Sequence, residues 1–369
     1  MAHDLVDYLI QVSHLGGSDL HIAAGTCPMA RVHNQLIPLS EEILTPHDCR
    51  ELVLGALKES QRSRLEQDWE LDFAMQVEGI GRYRGTACYA SGRIEASFRC
   101  ISDFIPELLD LGHSPTILKM CEAEHGLILV AGIGGAGKST TLSSMVQKIA
   151  RDRSRMILTI EDPIEYVFQH YHGVVRQRQV GTDTQSFAHA LRGALRSDAD
   201  VIVVGELRDL ETIRIALTAA ESGHLVIGTL HTTNASASIS RLLDAFPEDT
   251  QDYVSSQLAH SLVGVVCQHL ITKADGPGRA LATEIMMNSS GVAACIRGRR
   301  FSQLPSMIEI GGNEGMHTLD DSLIELLLKN QITLSDALSR ARDPQFVKEN
   351  FQLALQSRKK TWFGRLMGK

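Results

Sequence analysis

Residues 126–141 read G-L-I-L-V-A-G-I-G-G-A-G-K-S-T-T, and this stretch limits the possible folds more than any other. Leu127 to Ala131 is a short apolar run, as a strand needs when both of its faces are covered in a parallel sheet. Gly132, Ile133, Gly134, Gly135, Ala136, Gly137, Lys138 and Ser139 then match the spacing G-x-x-x-x-G-K-[ST]. Four glycines in six residues let the backbone wrap a phosphate chain, because no side chain blocks its N–H groups. Lys138 brings a positive charge towards β- and γ-phosphates, and the Ser139 hydroxyl is suited to Mg²⁺. Thr140 to Ala150 reads as the helix that follows, its N-terminal dipole favouring an anion.

The chain has 369 residues and is 43% apolar, enough for two domains with cores of their own. A net charge of −8 argues against nucleic acid as the main partner, which needs a broad basic face. No apolar run approaches the roughly 20 residues that span a bilayer. The start, Met1-Ala-His-Asp-Leu, has neither a basic n-region nor an apolar h-region, so no signal peptide is expected. Seven cysteines without a C-x-x-C pair suit reduced thiols in a cytoplasm and speak against structural zinc.

In chain order, Asp4 to Leu15 carries a helical apolar stripe that stops at Gly16-Gly17. Asp19–Ala23 and Ala30–Leu39 read as strands around a turn at Gly25–Pro28. Thr45-Pro46 starts a helical region that runs to about Gln67. Three strand-like segments follow between Glu70 and Cys100. Residues 1–105 thus form a first domain of helices and mostly antiparallel strands, and 106–120 reads as a linker. From 121 to 357 the grammar changes. Strands are expected at Leu127–Ala131, Met156–Ile160, Val201–Val204 and Leu225–Thr229, with helices between them, which implies an α/β fold with a covered parallel sheet. Ser289 to about Gln356 is mostly helical. Residues 358–369 form a basic, aromatic tail outside the packed core, and two glycines in twelve residues make it a poor helix.

Three more clusters fall where strands of such a sheet end, the edge at which ligands bind. Thr159-Ile-Glu161-Asp-Pro-Ile-Glu165 ends a strand in three carboxylates, which can hold Mg²⁺ through water or orient an attacking water. Val201 to Val204 is followed by Gly205-Glu206. A single acid there is better placed to polarise water than to bind metal directly. Gly223-His224 to His231-Thr232-Thr233 sets two histidines around one apolar strand, where an imidazole can sense a γ-phosphate. Arg82, Arg84 and Arg99 lie on strands of the first domain. An arginine from a neighbouring domain or subunit can stabilise transition-state charge in hydrolysis.

Together, G-I-G-G-A-G-K-S-T-T, T-I-E-D-P-I-E, V-V-G-E-L-R-D and G-H-L-V-I-G-T-L-H-T resemble the Walker A, Asp-box, Walker B and His-box motifs of the secretion ATPase superfamily. Within it the chain is similar to the retraction ATPases of type IV pili, the PilT/PilU type. G-G-S-D-L-H at 16–21, G-R-Y-R at 81–84, Q-R-Q-V-G-T-D-T-Q-S-F at 177–187 and G-M-H-T-L-D at 315–320 extend the likeness to residues 5–345. The resemblance implies a PAS-like α+β N-terminal domain, then a RecA-like P-loop ATPase domain with a helical C-terminal part. It implies a cytoplasmic ring of six subunits, peripheral to the inner membrane, that hydrolyses ATP with Mg²⁺ and returns pilin to the membrane. Its partners would be a membrane platform protein of the pilus and a paralogous retraction ATPase. Lys138, Glu161 and Glu206 would be catalytic. Residues 132–140 would bind the nucleotide, with His224 and His231 as sensors and Arg82, Arg84 and Arg99 near it. Ser139 would hold Mg²⁺, joined through water by Glu161 and Glu206.

Two departures stand out. The family's phosphate loop commonly reads G-P-T-G-S-G-K-S, where this chain has Ile133, Gly134 and Ala136. The family's A-I-R-N-L-I-R-E stands here as G-V-A-A-C-I-R-G at 291–298, without the terminal acid. The alternatives are an assembly or secretion ATPase of the same superfamily and an accessory nucleotide-binding subunit that docks to another motor. The first usually carries a four-cysteine zinc insertion that this chain lacks.

Overall fold

A computed structural model describes residues 4–32, 35–101, 104–276 and 278–367, with side chains described as far as 356. The chain divides into two compact units, Met1–Ile105 with Asp162–Val167, and Pro106–Glu161 with Phe168–Lys369.

In the first unit, helix α1 (Leu5–His14) starts at Asp4, whose carboxylate accepts the Val6 N–H at 2.9 Å. Strands β1 (Asp19–Ile22), β2 (Met29–Val32) and β3 (Gln35–Pro38) follow, then helices α2 (Pro46–Gly55) and α3 (Glu59–Asp68). Strands β4 (Glu70–Val77), β5 (Gly81–Ala90) and β6 (Arg93–Ile101) complete the unit. The sheet order is β3-β2-β1-β6-β5-β4, and all its pairs are antiparallel. Leu20, Ile22, Phe73, Tyr83 and Phe98 share a core with the helices. The alternation of strand side chains sends Asp19, Arg84 and Arg99 to the other face. The single strand expected at Ala30–Leu39 is instead two strands folded on each other, Val32 standing opposite Gln35.

The second unit opens with helix α4 (Thr116–Cys121), strand β7 (Gly126–Ala131) and helix α5 (Lys138–Asp152). Next come β8 (Met156–Glu161), β9 (Val174–Gln179), α6 (Phe187–Ala194), β10 (Val201–Val204), α7 (Leu210–Glu221) and β11 (Leu225–Leu230). Helices α8 (Ala235–Asp244) and α9 (Gln251–Ser261) lead to the paired strands β12 (Leu262–Thr272) and β13 (Arg279–Met287). Helices α10 (Ser290–Arg297), α11 (Leu304–Ile310), α12 (Leu319–Leu328), α13 (Leu334–Arg340) and α14 (Pro344–Met367) finish it.

The seven strands run in the order β13-β12-β7-β11-β10-β8-β9. Six are parallel, and only β13 is reversed. Every residue of β7, β10 and β11 is buried. Each Leu, Ile or Val side chain so placed contributes roughly 1.5–3 kcal/mol of hydrophobic stabilisation. The chain is thus an α/β protein, as its alternating strands and helices require.

Further expectations need correction. The stretch 106–120 is no free linker. His113, Thr116, Ile117 and Met120 are buried, and Ser144 Oγ donates to the Pro106 carbonyl at 2.7 Å. Its apolar side chains had a core to join, so it folds as part of the second unit. Strands β9, β12 and β13 were not foreseen either. The tail's backbone continues α14 to Met367, although its glycine content argued against a helix. The side chains of 357–369 lie outside the described residues.

Candidate functional site

The site is built at the ends of neighbouring strands. β7 leads into the glycine loop and β11 into His231, while β10 leads into Glu206 and β8 ends in Glu161. These four strands are adjacent and parallel, so their carboxyl ends share one edge. With neighbours about 4.8 Å apart, the loop and Glu161 stand about 14 Å from each other along that edge.

The loop's shape depends on glycine at Gly132, with φ of +153°. A Cβ there would come within 2.8 Å of both the Gln268 carbonyl oxygen and the Ala136 Cβ. At Gly134 and Gly135 a Cβ would meet nothing within 4 Å, which leaves the crest open to a ligand. Lys138 is the first residue of α5 and is only 8% exposed. Its Nζ donates to the carbonyls of Gly132 at 2.7 Å and Ile133 at 3.1 Å. Burial pulls its pKa below the usual lysine value, and the charge of Glu206 opposes that pull. A desolvated ammonium turned onto its own loop suits an incoming phosphate, which would replace two carbonyl dipoles with a full negative charge. Ser139 is exposed one residue further on.

Gly205 and Glu206 follow β10. The Gly205 N–H donates to the Ile160 carbonyl at 2.8 Å, and a Cβ at Gly205 would lie 3.2 Å from that same oxygen. This close approach leaves little room for a side chain at position 205. Glu206 is half-buried, and its Oε1 lies 3.6 Å from His231 Nε2. Glu161 is buried, and its Oε1 accepts from Thr159 Oγ1 at 2.7 Å and Gln177 Nε2 at 3.0 Å. Two donors thus hold one carboxylate oxygen in place.

The structure does not bring the whole expected set together. His224 precedes β11, so that strand's six residues, about 20 Å, separate it from His231. Its Nδ1 lies 3.1 Å from the Ala219 carbonyl and 3.2 Å from Ser222 Oγ, contacts that tie the end of α7 to the start of the strand. Arg82, Arg84 and Arg99 belong to the first unit. Arg84 pairs with Asp72 at 3.5 Å and Glu165 at 3.7 Å, and Arg99 with Asp19 at 2.8 Å.

One site residue had no sequence signal. Gln268, on β12 and 1% exposed, donates through Nε2 to Thr141 Oγ1 at 3.0 Å and the Ala136 carbonyl at 3.4 Å. No local spacing announces a partner so distant in the chain.

Comparison with known proteins agrees with this geometry. Residues 103–309 match the family described as Type II/IV secretion system protein. The chain is 41% identical over 342 residues to the type IV pilus retraction ATPase PilT of Pseudomonas aeruginosa, covering 93% of this chain and 99% of that one. It is 36% identical over 342 residues to the type IV pilus ATPase PilU of the same organism, covering 93% and 90%. The crystal structure of the pilus retraction motor PilT with bound ADP superposes with a TM-score of 0.88 at 40% identity, covering 94% of this chain and 99% of that one. The chain therefore belongs to the Type II/IV secretion system protein family, in its branch of type IV pilus retraction ATPases.

Proposed function

We propose that this protein is the ATPase motor of type IV pilus retraction, using ATP hydrolysis to return pilin to the membrane. The observation that carries this reading is the row of groups on one sheet edge. Lys138 is poised on the phosphate loop, with the Glu206–His231 pair beside it. The relatives' functions come to this chain with that row, because identity runs through nearly the whole length of both chains.

In this reading the loop N–H groups and Lys138 bind the β- and γ-phosphates. The Ser139 hydroxyl is the protein ligand for Mg²⁺, which when bound offsets phosphate charge. The exposed Ser139 and the open crest at Gly134 and Gly135 fit such a group. Glu206 is placed to take the proton of the attacking water. His231, its ring 3.6 Å from that carboxylate, stands where it can report the γ-phosphate. Glu161, held by Thr159 and Gln177, orients water from the β8 side. His224 has a different part, closing α7 onto β11.

The finer picture belongs to the same proposal, with family membership in its support. Residues 1–105 are a PAS-like domain and 121–357 a RecA-like ATPase domain. Six copies form a ring, and Arg82, Arg84 and Arg99 serve the nucleotide. The ring works at the cytoplasmic face of the inner membrane against a platform protein, together with a paralogous ATPase. Among the described residues no helix is long and apolar enough to cross a membrane. Phosphate release by the purified chain with Mg²⁺ and ATP tests the enzyme. Deletion of the gene, with imaging of pili, tests the output. Excess pili without twitching support retraction, whereas loss of pili points to assembly.

A further inference from the structure

The phosphate loop is held only in part by its own groups, Lys138 Nζ on the Gly132 and Ile133 carbonyls and the Ala136 N–H on Ile133. Gly134 and Gly135 carry no side chain, and glycine loses more freedom on ordering than any other residue. The rest of the support comes from the β12–β13 pair. β12 runs beside β7, with Cys267 opposite Ala131, and continues past the end of β7 alongside the loop. There Gln268 Nε2 donates to the Ala136 carbonyl, and Leu270 Cδ1 lies 3.6 Å from where a Cβ on Gly137 would stand. β13 begins at Arg279, opposite Thr272. Arg279 Nη1 donates to the Gly135 carbonyl at 3.2 Å, at the crest of the loop.

Gly135 O belongs to the same peptide as the Ala136 N–H, which donates to the Ile133 carbonyl at 3.2 Å. A peptide unit is planar, so a partner on its carbonyl also fixes the direction of its N–H. The 135–136 unit is therefore held at both ends. The carbonyl of the 136–137 unit is held by Gln268, which directs the Gly137 N–H the opposite way. The Ala136 N–H closes the turn onto Ile133, and the Gly137 N–H, directed away from Gln268, is the one set to meet an anion.

We propose that Arg279 is a positioning residue for the phosphate loop: from the first position of β13 it orients the Gly135–Ala136 peptide, with Gln268 its counterpart at Ala136. The loop then meets the nucleotide already ordered, and binding avoids the entropy of arranging four glycines. The loop grips the phosphates before and during reaction alike. Loss of its order therefore raises KM and leaves kcat near its original value.

This inference rests on the ATPase reading. The experiment uses the full chain as wild type, Arg279→Ala and Arg279→Lys, measuring phosphate release with Mg²⁺ and ATP and equilibrium binding of ADP. In Arg279→Ala, KM for ATP and Kd for ADP rise together by about three- to tenfold, with kcat within about twofold. Arg279→Lys, which keeps a cationic donor, recovers part of that loss. Arg279 is exposed, so melting without nucleotide stays unchanged, while the upward shift given by a fixed ADP concentration shrinks. Unchanged KM and Kd in Arg279→Ala, or a fall in kcat alone, overturns the positioning role. A wild-type chain that neither binds nor hydrolyses ATP overturns the ATPase reading instead.

Discussion

His113 gives a pH dependence that can be worked out from its surroundings. It is 4% exposed, and its Nε2 lies 2.9 Å from Thr141 Oγ1, the hydroxyl that Gln268 also reaches. Burial, aided by the charge of His317, lowers its pKa from 6.5 to about 4. The folded protein therefore keeps this ring neutral, while the unfolded chain takes up a proton near pH 6.5. Its contribution is full above the unfolded value and declines as pH falls through 6.5 towards 4. Between pH 7.5 and 5.0 the loss amounts to about 2 kcal/mol, from proton linkage with those two pKa values. His317 is lowered by burial and acts in the same direction, whereas Glu284 is raised by burial and acts in the opposite one. Both are retained in His113→Gln, which keeps an amide towards Thr141, so the comparison isolates His113. Urea unfolding followed by circular dichroism at the two pH values should show wild type losing about 2 kcal/mol more than the variant. Parallel losses in the two proteins would refute the argument and place the proton elsewhere.

Three other outcomes are expected. Lys138→Ala abolishes ATP turnover, with a loss of at least about a hundredfold, because the charge directed at the phosphates is gone; a phosphate-release assay at wild-type level would sink the loop assignment. Glu206→Gln retains nucleotide affinity and slows hydrolysis by about 10²–10⁴-fold, trapping ATP; normal turnover would pass the role of base to Glu161, tested in turn by Glu161→Gln. Truncation after Gln356 leaves turnover unchanged and weakens binding to anionic vesicles, because it removes Arg358, Lys359, Lys360, Arg365 and Lys369; equal partitioning of both forms would rule out a tether.

Much of the site was legible because its elements are local. A strand, a glycine loop and a helix in succession are a pattern within one stretch of chain. Leu127–Ala131, Val201–Val204 and Leu225–Thr229 announce buried parallel strands by continuous apolar runs. Strand β9, V-V-R-Q-R-Q, is a polar edge strand and gives no such signal. β12 opens with an apolar run and β13 mixes apolar residues with Thr283 and Glu284, and periodicity does not separate such stretches from buried helices. The histidine pair shows the same limit. Sequence sets His224 and His231 around one strand, but a strand of six residues carries its two ends to opposite edges of the sheet.

Local sequence was enough for the central strands β7, β8, β10 and β11, for the phosphate loop and its lysine, and for the acids that end β8 and follow β10. These follow from steric freedom, apolar periodicity and charge within short windows. Which strands are neighbours emerges only on folding, and with it the approach of Glu206 to His231 at 3.6 Å while His224 lies at the far edge. Only in the folded chain does the Ile160 carbonyl crowd position 205, with Gln268 and Arg279 holding the loop. The physical reason is separation along the chain. Gln268 reaches Thr141 across 127 residues and Arg279 reaches Gly135 across 144, and such contacts exist only once the sheet has set β12 beside β7.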